Sequence, residues 1–177
     1  MSTIKNQPMD FTAVAGVVQT FLVTQEETDG RYVEVEVVMD PGAGGVPRHV
    51  HPHQEERFEV TEGVVDVFHS GRWHKLAAGE VAVVPPGMPD QFKNTSDERA
   101  TVVVRLSPAL DFQDQCVASM KLIDDGRVRS QKDLRSLIHG SMLLKRYPES
   151  TKMLNPALRW TTSFFAFIGR CLRYSID

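Results

Sequence analysis

Cysteine is scarce in this chain of 177 residues: only Cys116 and Cys171 occur, too few for a disulfide framework. Both sit in apolar helical patterns, so reduced core residues are expected. No charge sign dominates either. The formal net charge is -3 and the two signs are mixed along the sequence, which offers no basic surface for nucleic acid and no acidic tail. No apolar run approaches the length that crosses a bilayer, and the N-terminus lacks the basic, apolar, small-residue order of a signal peptide. A cytoplasmic protein with a small-molecule partner is expected. Nucleophile signatures are missing as well: Ser70, Ser107 and Ser163 have no nucleophile-elbow context, and neither cysteine stands in a histidine-containing motif. Gly42, Gly44 and Gly45 carry no Gly-Lys-Ser ending and open no helix, so they do not form a phosphate cradle.

What is present is a run of short strand patterns. After a polar arm over residues 1–12, residues 17–24 read as a strand. Residues 32–39 alternate Val33, Val35, Val37 and Met39 with Tyr32, Glu34 and Glu36, the pattern of a half-buried antiparallel strand. Ser70-Gly71 marks a hairpin between strands at 64–69 and 72–76, and 77–79 turns the chain into 81–84. Pro85-Pro86-Gly87 suits a type II turn that sends 88–94 back across the sheet, and 101–106 closes it. Beyond Ser107 the period changes to near 3.6, with Ser107-Pro108, Ser130 and Asn155-Pro156 placed like helix caps, so three helices are expected. The middle one carries the stripe Leu134, Leu137, Ile138, Ser141 and Leu144 and stops at Pro148. His139 is expected to face solvent, and His69 and His74 to flank the hairpin turn as solvated or capping groups.

Three of the six histidines crowd into five residues, at His49, His51 and His53, just before a strand whose inward face opens with a carboxylate. On that strand Arg57, Glu59 and Thr61 share one side, and Glu56, Phe58 and Val60 the other. A charge at Glu56 beside Phe58 and Val60 costs on the order of several kcal/mol unless a cation compensates it. His49 and His51, two apart on an extended segment, supply neutral imidazoles beside that carboxylate, which makes a two-histidine, one-carboxylate metal set. Without Glu56, a solvated polar loop would explain the same histidines equally well.

A second segment, 79–94, reads GEVAVVPPGMPDQFKN. Together with the first cluster and Gly63 it resembles the paired motifs of the cupin family, over roughly residues 30–107. In that family the first motif carries a glycine, a His-x-His pair, a glutamate and a closing glycine. The second carries a glycine, a Pro-x-Gly turn, a histidine and an asparagine, and here Gly79, Pro85, Gly87 and Asn94 stand at the matching positions. Two registers fit the first motif. His51 and His53 follow Gly45 correctly but leave Glu56 too close, whereas His49 and His51 give the wider gap; the second is preferred, because coordination geometry fixes ligand spacing while an entry glycine can drift. The chain departs from the family at position 90, where the fourth-ligand histidine is replaced by Asp90. That aspartate either ligates a metal, acts as acid or base beside an open coordination position, or marks a site that has lost its metal, in that order of preference. Position 53 could also complete the set, although Pro52 breaks the strand before it.

The resemblance implies a mainly β fold, a small antiparallel β-barrel of the jelly-roll type over residues 1–107, with a C-terminal helical extension at 108–177 packed on the barrel or a dimer partner. It implies one divalent ion (manganese, iron, nickel or zinc) held by His49, His51, Glu56 and Asp90, with Glu56 and Asp90 as the catalytic groups. Phe58, Val60, Met88 and Phe92 are the expected substrate-binding side chains. A full pair of carboxylates favours hard ions such as manganese or ferrous iron. Two functions are carried forward: a metal-dependent, dioxygenase-like enzyme or related lyase or isomerase acting on a small organic substrate, or a cupin that binds or senses a ligand without turnover. The last helix presents Trp160, Phe164, Phe165, Phe167, Ile168, Cys171 and Leu172 around most of its circumference, more than one contact face buries. A homodimer is the expected second surface; a membrane surface met by these aromatics with Arg159, Arg170 and Arg173 is the alternative.

Overall fold

The strands form because β-branched residues alternate with polar ones, and what they build is two antiparallel sheets. A computed structural model of the chain describes residues 4–44, 47–130, 133–154 and 156–176, with the side chains of 156 and 158 left aside; Gly45 and Asn155 lie outside the described residues. The first sheet contains β1 (Pro8–Asp10), β2 (Val17–Val23), β3 (Val33–Met39), β5 (Glu55–Glu62), β8 (Val81–Val84) and β10 (Ala100–Ser107), in the order β1-β2-β3-β10-β5-β8. The second contains β4 (His49–Val50), β6 (Val64–His69), β7 (Arg72–Ala77), β9 (Pro89–Lys93) and β11 (Lys152–Met153), in the order β11-β4-β9-β6-β7. Among the described residues the ladders stay in these two sheets and do not close into the single barrel expected from sequence.

The core lies along the inward faces. β3 alternates buried and half-buried along its whole length, and Val102, Val104 and Leu106 of β10 pair with Val60, Phe58 and Glu56 of β5. Fully burying each such apolar side chain contributes about 1.5–3 kcal/mol before the entropy of ordering it is set against that gain. Two turns anchor the strands that carry the candidate site. Met88 N–H donates to Pro85 O at 3.2 Å across Gly87, whose φ of +77° is the left-handed value a type II turn requires. Gly87 N–H donates in turn to His51 O at 2.8 Å, which seats the turn against the histidine segment. Gly63 ends β5 at φ +71°, and a Cβ there would stand 2.6 Å from Arg99 O.

The helices follow as α1 (Thr12–Ala15), α2 (Phe112–Asp124), α3 (Leu134–Arg146) and α4 (Pro156–Cys171). Several sequence expectations change here. The N-terminal arm is partly structured, since β1 pairs with β2 and α1 follows it. Asp111 and Asp133, not Ser107 and Ser130, stand at the starts of α2 and α3; the Asp133 carboxylate accepts from Ser136 N–H at 2.9 Å, while Ser107 still belongs to β10. Ile138 and Ser141 of the expected stripe are buried, but Leu134 and Leu137 are exposed. His139 is buried rather than solvated, because Tyr174 from beyond α4 stacks on it with ring centroids 4.9 Å apart. Cys116 is buried, and desolvation pushes its thiol up to about 12, whereas Cys171 is exposed; both are free. α4 packs Ala166 and Gly169 inward, with Gly169 close against Met142 and Ile138 of α3. Trp160 (82% exposed), Phe164 (59%) and Phe167 (57%) point outward. No helix among the described residues is long and apolar enough to cross a membrane.

Candidate metal centre

Register brings the four chemically active groups together. His49 on β4 stands directly across from Asp90 on β9, and Glu56 on β5 faces inward at the head of the apolar row Phe58 and Val60. His51 follows β4 by one residue and reaches the same point. His49, His51, Glu56 and Asp90 are all buried, each 5% exposed or less, and one donor atom from each lies within 4.8 Å of every other. His51 Nε2 is 3.2 Å from His49 Nε2, 3.6 Å from Glu56 Oε2 and 3.9 Å from Asp90 Oδ2.

The outer nitrogens are engaged elsewhere. His49 Nδ1 is 3.0 Å from Pro47 O, which accepts a hydrogen bond from it, and is also 3.3 Å from Asp90 Oδ1. His51 Nδ1 is 3.1 Å from Gln54 Oε1. With Nδ1 of each ring donating outward, both Nε2 lone pairs point at one another. Two such donors on one ion at about 2.1 Å sit roughly 3.0–3.4 Å apart, and the observed histidine separation falls in that interval. Glu56 Oε2 and both Asp90 oxygens are buried and lack hydrogen-bond partners. Orphaned buried oxygens are costly, and a cation is the compensation their chemistry calls for.

Electrostatics point the same way. Burial, then the Asp90 charge, holds the Glu56 carboxyl well above its ordinary range, so in the absence of a cation it keeps its proton more readily than an ordinary acid. Burial, then His49, pulls the His51 imidazole down to about 4 against the opposing pull of Asp90, Gln54 and the Ser150 backbone. His51 is therefore a neutral donor at physiological pH. Two neutral imidazoles and two carboxylates suit a divalent ion with nitrogen and oxygen affinity.

Of the residues singled out from sequence, the metal set is brought together in full. His53 is not part of it: its exposed ring lies 3.9 Å from Glu149, which leaves His49 and His51 as the histidine pair. Phe58, Val60 and Phe92 are buried in the apolar core, with the Phe58 and Phe92 rings 5.4 Å apart, while Met88 is exposed at the following turn. Asn94 is structural, donating to Asp40 O and Glu98 O at 3.2 and 2.7 Å. His69 and His74 stack beside the hairpin, centroids 4.0 Å apart. Gln54 and Phe112 are the residues sequence reasoning missed. Phe112 sets its ring edge-on to His51 at 6.5 Å. A signal for Gln54 existed, because the inward period of two through Phe58 and Glu56 extends back to position 54.

A family model described as Cupin domain matches residues 35–105. Two curated relatives match over 71 residues, 40% of this chain: "Polyketide synthase CurC" of Streptomyces cyaneus at 37% identity, and "Protein SchB" of Streptomyces halstedii at 34%. The matched stretch spans 46% and 51% of those relatives, so this chain covers about half of their length. Among solved structures, an RmlC-like cupin from Shewanella frigidimarina is similar in fold, with a TM-score of 0.52, 21% identity, and coverage of 64% of this chain and 93% of that one.

Proposed function

The chain belongs to the cupin family through residues 35–105, and from that premise we propose that it is a metal-dependent enzyme, an oxygenase or related lyase, acting on a small enolisable substrate of polyketide type. The observation that carries this reading is the convergence of His49, His51, Glu56 and Asp90 at one buried point. The substrate class comes from the relative named as a polyketide synthase, which shares 37% identity over 71 residues. The two sheets are taken as facing walls of a small jelly-roll barrel with the cluster inside.

In this reading His49, His51, Glu56 and Asp90 hold one divalent ion, with manganese or ferrous iron preferred over nickel and zinc because half the donors are carboxylate oxygens. Such an ion would supply Lewis acidity beside these residues. Glu56 is the group placed to take and return a substrate proton when it is not itself a ligand. Phe58, Val60 and Phe92 provide the apolar wall, and Met88 the rim. A second reading, ligand binding or sensing without turnover, is favoured by the near-complete burial of all four groups. For assembly, the outward Trp160, Phe164 and Phe167 of α4 support a homodimer joined through that helix.

Metal analysis of the purified protein and of His51→Ala, paired with oxygen uptake and product analysis across enol-bearing aromatic acids and flavonoids, tests the proposal. A stoichiometric metal lost in the variant, with turnover lost alongside it, is the expected result. Tight ligand binding without turnover would select the sensor, and a wild-type protein that takes up no divalent ion would overturn both.

A further inference from the structure

We infer that Gln54 is a positioning residue that fixes the imidazole of His51 with its proton on Nδ1 and its Nε2 lone pair turned toward His49, Glu56 and Asp90. The inference deepens the metal-binding reading of that cluster and rests on it for its metal arm alone. Gln54 is completely buried, and a primary amide has one accepting end and one donating end. The donating end is committed: Nε2 donates to Pro108 O and to Ala109 O, both at 2.9 Å. Turning the amide over would set its oxygen against two carbonyl oxygens and forfeit both bonds. Oε1 therefore faces His51 Nδ1 at 3.1 Å, and an amide oxygen can only accept there. The proton must sit on Nδ1.

The acceptors behind Gln54 are themselves held. Pro108 and Ala109 lie between β10 and α2, Ala109 is buried, and its N–H donates to Gly30 O at 3.0 Å. His49 is oriented in the same sense by the backbone oxygen of Pro47, which no substitution removes. Gln54 is thus the side chain that engages the Nδ1 of His51. Partners of this kind, acting on the far nitrogen of a ligating histidine, set both tautomer and donor strength.

The test reads the tautomer directly. Long-range proton–nitrogen NMR on metal-free, nitrogen-15-labelled protein, with the His51 signals assigned against His51→Ala, should show His51 protonated at Nδ1. In Gln54→Met, which keeps the length and removes both polar ends, that state should give way to the Nε2-protonated or mixed form. Manganese and zinc should then bind at least tenfold more weakly than to wild type, roughly within the 10–100-fold range for lost outer partners. Gln54→Glu, which retains an accepting oxygen, should keep the Nδ1 proton better than Gln54→Met. A wild-type His51 protonated at Nε2, or a Gln54→Met protein whose His51 keeps the Nδ1 proton, overturns the inference, and the first of these needs no variant to fold. Should wild type show the Nδ1 form, lost in Gln54→Met, yet bind neither metal, the positioning role stands and the metal reading falls.

Discussion

Replacing Glu56 with glutamine changes how the metal-free protein responds to pH, by an amount set by one proton. In the folded chain, burial and then Asp90 raise the carboxyl above its ordinary value of 4.5, while in the unfolded chain it titrates near that value. Above pH 4.5 the folded chain therefore holds a proton that the unfolded chain has released. Stability from this group is complete below 4.5 and drains away as pH climbs toward the raised folded value, at about 1.4 kcal/mol per pH unit. His51 works in the opposite direction. Its folded value of about 4 lies below the ordinary 6.5, so its contribution is complete above 6.5 and is lost as pH falls toward 4, about 3 kcal/mol in all. Above pH 4.5 the two slopes therefore oppose one another in wild type. Glu56→Gln removes one of them, so its stability relative to wild type should grow as pH rises from 5 to 7, by at most about 1.4 kcal/mol per pH unit. Urea unfolding of both proteins at half-unit steps, with a chelator present, measures this. A difference that stays constant across that range would refute the placement of Glu56 as a buried acid raised by its surroundings and by Asp90.

Other outcomes follow from the same geometry. Asp90→His restores the imidazole that cupins carry at this position, and calorimetry should show zinc and nickel affinity rising at least about tenfold, because a nitrogen donor replaces a carboxylate facing the cluster. Gly63→Ala forces a Cβ to within 2.6 Å of Arg99 O at φ +71°, and chemical denaturation should show a loss of roughly 2–4 kcal/mol from the left-handed backbone and the clash. Trp160→Asp combined with Phe164→Asp should convert a dimer into a folded monomer by light scattering; an unchanged mass would remove α4 from the subunit contact.

The cluster of two histidines and two carboxylates was legible because Glu56 violates a local rule. A glutamate on the apolar face of β5 needs a partner, and the nearest candidates were two histidines at strand spacing. Sequence alone left the histidine register open, and the structure closes it by placing His49 opposite Asp90 while His53 faces Glu149. Strand alternation also located β3, β5 and β8 well, since burial repeats every second residue along their inward-facing parts. What stayed hidden depends on contacts between distant parts of the chain. His139 is buried by Tyr174, a partner no periodicity announces. Gln54 acquires its role from carbonyls more than fifty residues away. The N-terminal β1 has only three residues, too few to show a period, and pairs because β2 offers it an open edge.

β11 has an implication for the order in which the molecule can be completed. The strand bearing His49 is only two residues long, and on one side its neighbour is Lys152 and Met153, with Met153 opposite His49 itself. A nascent or clipped polypeptide ending short of that point would leave the histidine at a raw margin, its backbone exposed to water on that flank. The flank of His49 is thereby left open until residues more than a hundred positions further along have been made, and loss of Lys152 and Met153 reaches directly to a member of the buried cluster.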